Sequence, residues 1–169
     1  YRAAVVARTT DIAALGIDAE PAEPLPHGVL GLVASDRERA AVERLAAERP
    51  DVPWDRLLFS AKEAVYKAWF PATGRWLGFA DARVEPAADG TFLACLHPAD
   101  PPVHAPTHYA GRWLVRGELL LTAVALRAVR PSPLPLLPPA GTPAPVSGPA
   151  RRYGPERPAG APTATRCPS

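Results

Sequence analysis

Two short stretches of the chain carry residues whose types and spacing suit chemistry. In Gly16-Ile17-Asp18-Ala19-Glu20, Asp18 and Glu20 stand two residues apart, and on an extended backbone residues i and i+2 project to the same side. Both carboxylates can therefore serve one cation. In Phe59-Ser60-Ala61-Lys62-Glu63-Ala64-Val65-Tyr66-Lys67, Glu63 and Lys67 are one helical turn apart and share a face. Oxygens from Asp18, Glu20 and Glu63, completed by water and a substrate phosphate, would suit the octahedral, oxygen-only preference of Mg²⁺. Plainer readings stand beside this one. Acids at a strand end are often just solvated, Glu63 and Lys67 could form an ordinary i,i+4 salt bridge, and Ser60 with Glu63 matches the Ser-x-x-Glu capping box of a helix start.

The elements that must position these residues are legible from apolar periodicity and breakers. Tyr1–Ala7 and Ala14–Ala19 read as two short strands joined by the polar turn Arg8-Thr-Thr-Asp-Ile12, which sets the first carboxylates at a strand end. Pro21, Pro24, Pro26 and Gly28 then interrupt regular structure. Ser35-Asp36 opens a charged helix over Arg37–Arg49, closed by Pro50,. A second helix is expected from Pro53 to Phe70, with Leu58, Ala61, Val65 and Trp69 on its apolar face and Arg56, Ser60, Glu63 and Lys67 opposite,. Trp54 and Trp69 fall near the apolar side and read as core. After Pro71 and Gly74 come β-like runs at Ala82–Glu85, Thr91–Leu96 and within Leu119–Leu126, with Trp113–Val115 a candidate fourth. Asp89-Gly90 and Arg116-Gly117 supply turns between them. Strands, then helices, then strands again predict an α+β fold.

Composition divides the chain. Residues 1–130 can bury one core, whereas Pro131–Ser169 is a Pro/Ala-rich segment with few large apolar residues and reads as a disordered tail,. The net charge is only +2, and the tail holds Arg151, Arg152, Arg157 and Arg166 against the single acid Glu156. The folded part is thus near neutral, which argues against a nucleic-acid partner. No stretch reaches the apolar length needed to span a bilayer and no leader pattern is present, so no membrane partner and a cytoplasmic location are expected. The two cysteines, Cys95 and Cys167, form neither a metal-ligand spacing nor a disulfide framework and read as reduced thiols. His27, His97, His104 and His108 share no spacing and occupy no motif position.

Gly-Ile-Asp-x-Glu followed some forty residues later by Phe-Ser-x-Lys-Glu-Ala-x-x-Lys resembles the paired signature of the 4'-phosphopantetheinyl transferase superfamily. Gly74-Arg75-Trp76-Leu77-Gly78-Phe79 further resembles the surfactin/enterobactin-type branch, with which siderophore and other secondary-metabolite biosynthesis is associated. The resemblance covers roughly Tyr1 to Leu126. It implies an antiparallel sheet packed against helices, with the catalytic domain incomplete at its N-terminus. It also implies transfer of 4'-phosphopantetheine from coenzyme A to a serine of an acyl or peptidyl carrier protein, with release of 3',5'-ADP. Asp18, Glu20 and Glu63 would bind Mg²⁺. Lys67 would neutralise coenzyme A phosphate oxygens, Lys62 would add a second phosphate contact, and Glu63 would also be the general base. Arg75 could reach a phosphate from its loop, although an arginine at a helix C-terminal end also suits the helix dipole, and Trp76 could line the pocket. The adenylate and 3'-phosphate would be gripped by residues upstream of Tyr1. Two other functions fit the same residues: another Mg²⁺-dependent phosphoester-cleaving enzyme, or a carrier-binding relic without activity.

Overall fold

A computed structural model describes residues 3–103 and 105–128. The expected tail from Pro131, Cys167 and His104 lie outside the described residues. Five strands form one antiparallel sheet: β1 (Ile12–Pro21), β2 (Ala82–Pro86), β3 (Thr91–Leu96), β4 (His108–Arg116) and β5 (Leu119–Arg127), in the order β1-β5-β4-β3-β2. Among the described residues three α-helices accompany it, α1 (Val29–Val33), α2 (Asp36–Glu48) and α3 (Trp54–Thr73), with a 3-10 turn at Phe79–Asp81. The α+β class, with helices packed on an antiparallel sheet, is as expected.

The core lies between α3 and one face of the sheet. From the helix, Trp54, Leu57, Leu58, Val65 and Trp69 are buried, and they meet Val84, Phe92, Trp113, Leu120 and Val124 from the strands. Trp54 and Trp113 pack edge to face with ring centroids 5.2 Å apart, and each buried indole N–H finds a backbone carbonyl: Trp54 donates to Arg49, Trp69 to Arg75 and Trp113 to Ala87. Core-facing residues therefore carry no unsatisfied indole donor.

Several boundaries differ from the periodicity reading. Within the strand expected over Tyr1–Ala7, the described residues 3–7 form no strand, and among the described residues β1 pairs with β5 alone. The turn after it does form, with Asp11 N–H and Ile12 N–H both donating to the Arg8 carbonyl. The strand expected at Ala14–Ala19 extends in both directions, so Asp18 sits mid-strand opposite Thr122 rather than at its end. Helix α1 went unforeseen, since five residues give no apolar periodicity to read. Helix α2 carries the capping box, at Ser35 and Glu38, and not at Ser60 and Glu63; Ser60 lies mid-helix. Helix α3 runs one turn past the expected stop and contains Pro71 before ending at Gly74, which adopts a left-handed φ of 64°. Thr73 Oγ1 donates to the Trp69 carbonyl at 2.9 Å and supports that last turn. Cys95, expected as a reduced thiol, is buried in β3. No helix among the described residues is long and apolar enough to cross a membrane.

One close approach fixes how β1 lies on α3. A Cβ placed on Gly16 would stand 2.0 Å from the Ala64 carbonyl oxygen and 2.7 Å from the Ala68 nitrogen. Both are helix backbone atoms that cannot rotate away. Gly16→Val is expected to cost about 3 kcal/mol, seen as a fall in Tm of about 10 °C. Gly31→Ala, where nothing lies within 4 Å of the new methyl group, should hold or slightly raise Tm.

Candidate active site

With Gly16 seated on α3, alternation along β1 turns Ala14, Gly16 and Asp18 to the same buried side, and Glu20 follows two residues on. The helix offers them the stripe Arg56, Ser60, Glu63 and Lys67, spaced by three and four residues. The stripe forms a polar seam with β1 and β5. Lys67 Nζ donates to Asp18 Oδ1 at 2.6 Å. Arg56 Nη1 donates to Glu20 Oε2 at 2.9 Å. Ser60, fully buried, lies 2.9 Å from Thr122 Oγ1, and Thr122 Oγ1 donates its single proton to the Ser60 carbonyl. The Ser60 hydroxyl must therefore be the donor to Thr122 Oγ1.

The simple i,i+4 salt bridge is replaced by this cross-element pairing: Lys67 reaches β1 rather than Glu63. Glu63 stands half-buried between the two cations. Burial raises its pKa, the Asp18 charge raises it further, Lys67 lowers it, and Glu20 raises it. Three carboxylates thus share one field. Asp18 Oδ2 is buried without a hydrogen-bond partner among the described residues. A buried carboxylate oxygen left bare is costly, and a divalent cation is one partner that would satisfy it. Among the described residues no three His, Cys, Asp or Glu side chains are gathered closely enough to hold a metal ion as they stand; Asp18 and Glu20 are turned to Lys67 and Arg56 instead.

Two recesses flank the seam. A cavity of about 760 Å³ is bordered by Asp18, Lys67, Ile17, Leu121 and Arg112. A smaller one of about 200 Å³ lies on the other side, against Glu63, Tyr66, Trp76, Leu77 and Phe79. Trp76, 74% exposed, rests edge-on against Tyr66 at 5.2 Å and lines this recess.

Lys62 and Arg75 are placed differently from the phosphate-contact expectation. Lys62 is 3% exposed. Its ammonium is held by the Val33 carbonyl at 2.7 Å, the Phe79 carbonyl at 2.9 Å and the Glu38 carboxylate at 3.0 Å. Five residues along a helix turn a side chain about 140°, which sends Lys62 into the interior while Lys67 reaches the seam. Burial lowers the Lys62 pKa, and Glu38 opposes that shift. Glu38 also accepts from Val84 N–H at 2.8 Å and from Ser35 N–H at 2.8 Å. Arg75 pairs with exposed Asp100 at 2.8 Å, beyond the end of α3, and makes no bond to the seam. Sequence reading gave Arg56, Thr122 and Glu38 no role. Arg56 shared the helical stripe of Glu63, and Ser35-x-x-Glu38 matched the capping pattern, so both carried a usable signal; Thr122 carried none.

Two measurements follow from these pairs. Lys62→Ala would strand the buried Glu38 carboxylate and is expected to cost about 3–5 kcal/mol in denaturant unfolding. For Glu63, the folded pKa lies above the unfolded one, so the folded state binds the extra proton and stability falls as pH rises from about the unfolded value toward the folded one. Glu63→Gln should therefore raise Tm at neutral pH and lose that advantage at pH 4 and below.

The residues of this seam all fall within a region matched by a family description. Residues 14–124 match the 4'-phosphopantetheinyl transferase superfamily. The 4'-phosphopantetheinyl transferase Svp of Streptomyces mobaraensis is 52% identical over 132 residues, covering 76% of this chain and 53% of that protein. PptT of Mycobacterium tuberculosis, also a 4'-phosphopantetheinyl transferase, is 44% identical over 133 residues, covering 75% of this chain and 58% of that protein. The chain therefore spans little more than half the length of these relatives. The crystal structure of Thermotoga maritima holo-[acyl-carrier-protein] synthase superposes with a TM-score of 0.51 at 19% identity, over 68% of this chain and 63% of that one, a likeness of fold. Motif pair, α+β fold and matched span agree: the chain belongs to the 4'-phosphopantetheinyl transferase superfamily.

Proposed function

We propose that the protein carrying this chain transfers 4'-phosphopantetheine from coenzyme A to a serine of an acyl or peptidyl carrier protein and releases 3',5'-ADP. The single observation that carries the reading is the buried, unpartnered Asp18 Oδ2 beside the Asp18–Lys67 pair, with Glu20 and Glu63 in the same field. Asp18, Glu20 and Glu63 would hold Mg²⁺. When bound, that ion supplies positive charge against the phosphate oxygens as the leaving group departs. Lys67, about half exposed at its side chain, can follow a phosphate oxygen without leaving the seam. Glu63, beside the proposed cation position, takes the serine proton. The serine Oγ–P bond forms, the P–O bond to 3',5'-ADP breaks, and the leaving group carries the electron pair.

The two recesses support the same substrate. A nucleotide with its phosphates suits the larger cavity bordered by Lys67 and Arg112, and an uncharged, flexible arm suits the aromatic-walled recess beside Glu63. Arg75 and Lys62 have no phosphate role in this reading. Membership of the surfactin/enterobactin-type branch, acceptors in siderophore or other secondary-metabolite assembly, a cytoplasmic location and a catalytic domain spanning 1–130 belong to the same proposal.

The test is to incubate the intact protein with coenzyme A, Mg²⁺ and an apo-carrier protein, and to weigh the carrier. A gain of one phosphopantetheine is expected, and no gain would overturn the reading. Asp18→Ala and Glu63→Ala should each lower the rate by about 10²-fold or more, with circular dichroism unchanged.

A further inference from the structure

We infer that Arg56 is a positioning residue for Glu20, fixing the plane of its carboxylate so that one oxygen is committed to the protein and the other is left for a divalent cation. The inference rests on the reading of Asp18, Glu20 and Glu63 as cation ligands.

Arg56 is sunk into the seam, with a side chain 12% exposed. Its guanidinium makes three bonds to three successive stations on the chain leaving β1. Nη1 donates to Glu20 Oε2 at 2.9 Å, Nε to the Glu23 carbonyl at 3.1 Å and Nη2 to the Pro24 carbonyl at 2.9 Å. A guanidinium is planar and rigid, so three bonds fix its plane, and that plane fixes the carboxylate bonded to it. Lysine also has three donors, but they radiate from one nitrogen without a planar fork, so it cannot fix the plane of the carboxylate in the same way.

The charge pattern around Arg56 is unlike that of an isolated surface pair. Arg56 and Lys67 stand near opposite ends of one stripe of α3, and each takes one oxygen of one carboxylate on β1. Glu63 stands between them and is in no ion pair among the described residues, while feeling both Asp18 and Glu20. Three carboxylates against two cations leave the cluster short of positive charge at its centre. Partners of this kind, behind a metal ligand, set its orientation and typically matter 10–100-fold in metal affinity.

The neighbouring Asp55 provides a control, because it staples the same loop without touching Glu20: its Oδ2 accepts from Leu25 N–H at 2.9 Å. The test measures Mg²⁺ binding to the intact protein by isothermal titration calorimetry, with the metal alone, for Arg56→Gln, Arg56→Lys, Asp55→Ala and Glu20→Gln. Arg56→Gln is expected to weaken Mg²⁺ binding about 10–100-fold, Arg56→Lys to recover part of that loss, and Asp55→Ala to keep wild-type affinity. Should Arg56→Gln fail to fold, Arg56→Lys against Asp55→Ala carries the comparison. Equal weakening by the Arg56 variants and Asp55→Ala would reduce Arg56 to a loop staple and overturn the inference. Wild-type affinity in both Arg56 variants with weakened binding in Glu20→Gln would overturn it while leaving the cation reading intact. Wild-type affinity in Glu20→Gln would overturn the cation role of Glu20, and the inference with it.

Discussion

The contact between Gly16 and the backbone of α3 is the constraint on which the site depends. A strand and a helix normally stand apart by the length of their intervening side chains. Here the strand has none at Gly16, and the helix presents Ala64 and Ala68, so the two backbones touch. Because side chains alternate along β1, touching at Gly16 commits Asp18, and then Glu20, to the same helix. The helix answers with long cations. From Arg56 to Lys67 the axis rises about 16 Å, whereas Asp18 to Glu20 spans about 7 Å of strand. Arginine and lysine arms reaching toward each other close that difference and leave the shorter Glu63 facing the space between. A carboxylate cluster at this spot is therefore a consequence of backbone packing as much as of acidic residues.

The two lysines of the motif helix show how one element serves two purposes. Lys62 ends in a fully enclosed set of acceptors that joins α1, the N-terminus of α2 and the segment after α3. Glu38 completes that set while also capping α2 and accepting from Val84 on β2. Such a pair is costly to desolvate and costlier to break, so it fixes the arrangement of helices around α3 rather than binding a ligand. Lys67 ends at the seam with half its side chain exposed and keeps the freedom to change partners.

Much of this was legible in the sequence, and the losses have definite causes. The spacing of Asp18 with Glu20 and of Glu63 with Lys67 needed only the periods of strand and helix, and both pairs share the faces those periods dictate. The edges of β3 and the turns at Gly90 and Gly117 followed from alternation and from glycines that here take positive φ. The surroundings of Lys62, Ser60 and Arg56 were not legible, because an apolar stripe reveals which face is buried and says nothing about the others. Helix α3 is covered by the sheet on one side and by α1 and α2 on another, so polar residues off the stripe are buried too. The strand expected before Arg8 failed for a related reason: a strand needs a partner, and no local pattern supplies one.

The energetics of the seam are uneven by design of its parts. Lys67 and Arg56 each neutralise one carboxylate, and Ser60 with Thr122 closes a hydrogen-bonded pair between them. Glu63 and Asp18 Oδ2 are left over, the first pushed toward its protonated form and the second bare. Uncompensated groups of this kind subtract from stability and persist only where packing elsewhere over-determines the fold. In this chain the surplus comes from the aromatic and aliphatic contact of α3 with the sheet, in which Trp54, Leu57, Leu58, Val65 and Trp69 are almost wholly enclosed. The same helix thus supplies the burial that holds the strained carboxylates and the residues that a cation or a phosphate would relieve. In the proposed reading that relief comes from a ligand rather than from a further side chain, and Glu63, raised in pKa by burial and by Asp18, is the residue at which the difference from an ordinary ion-pair network would be felt.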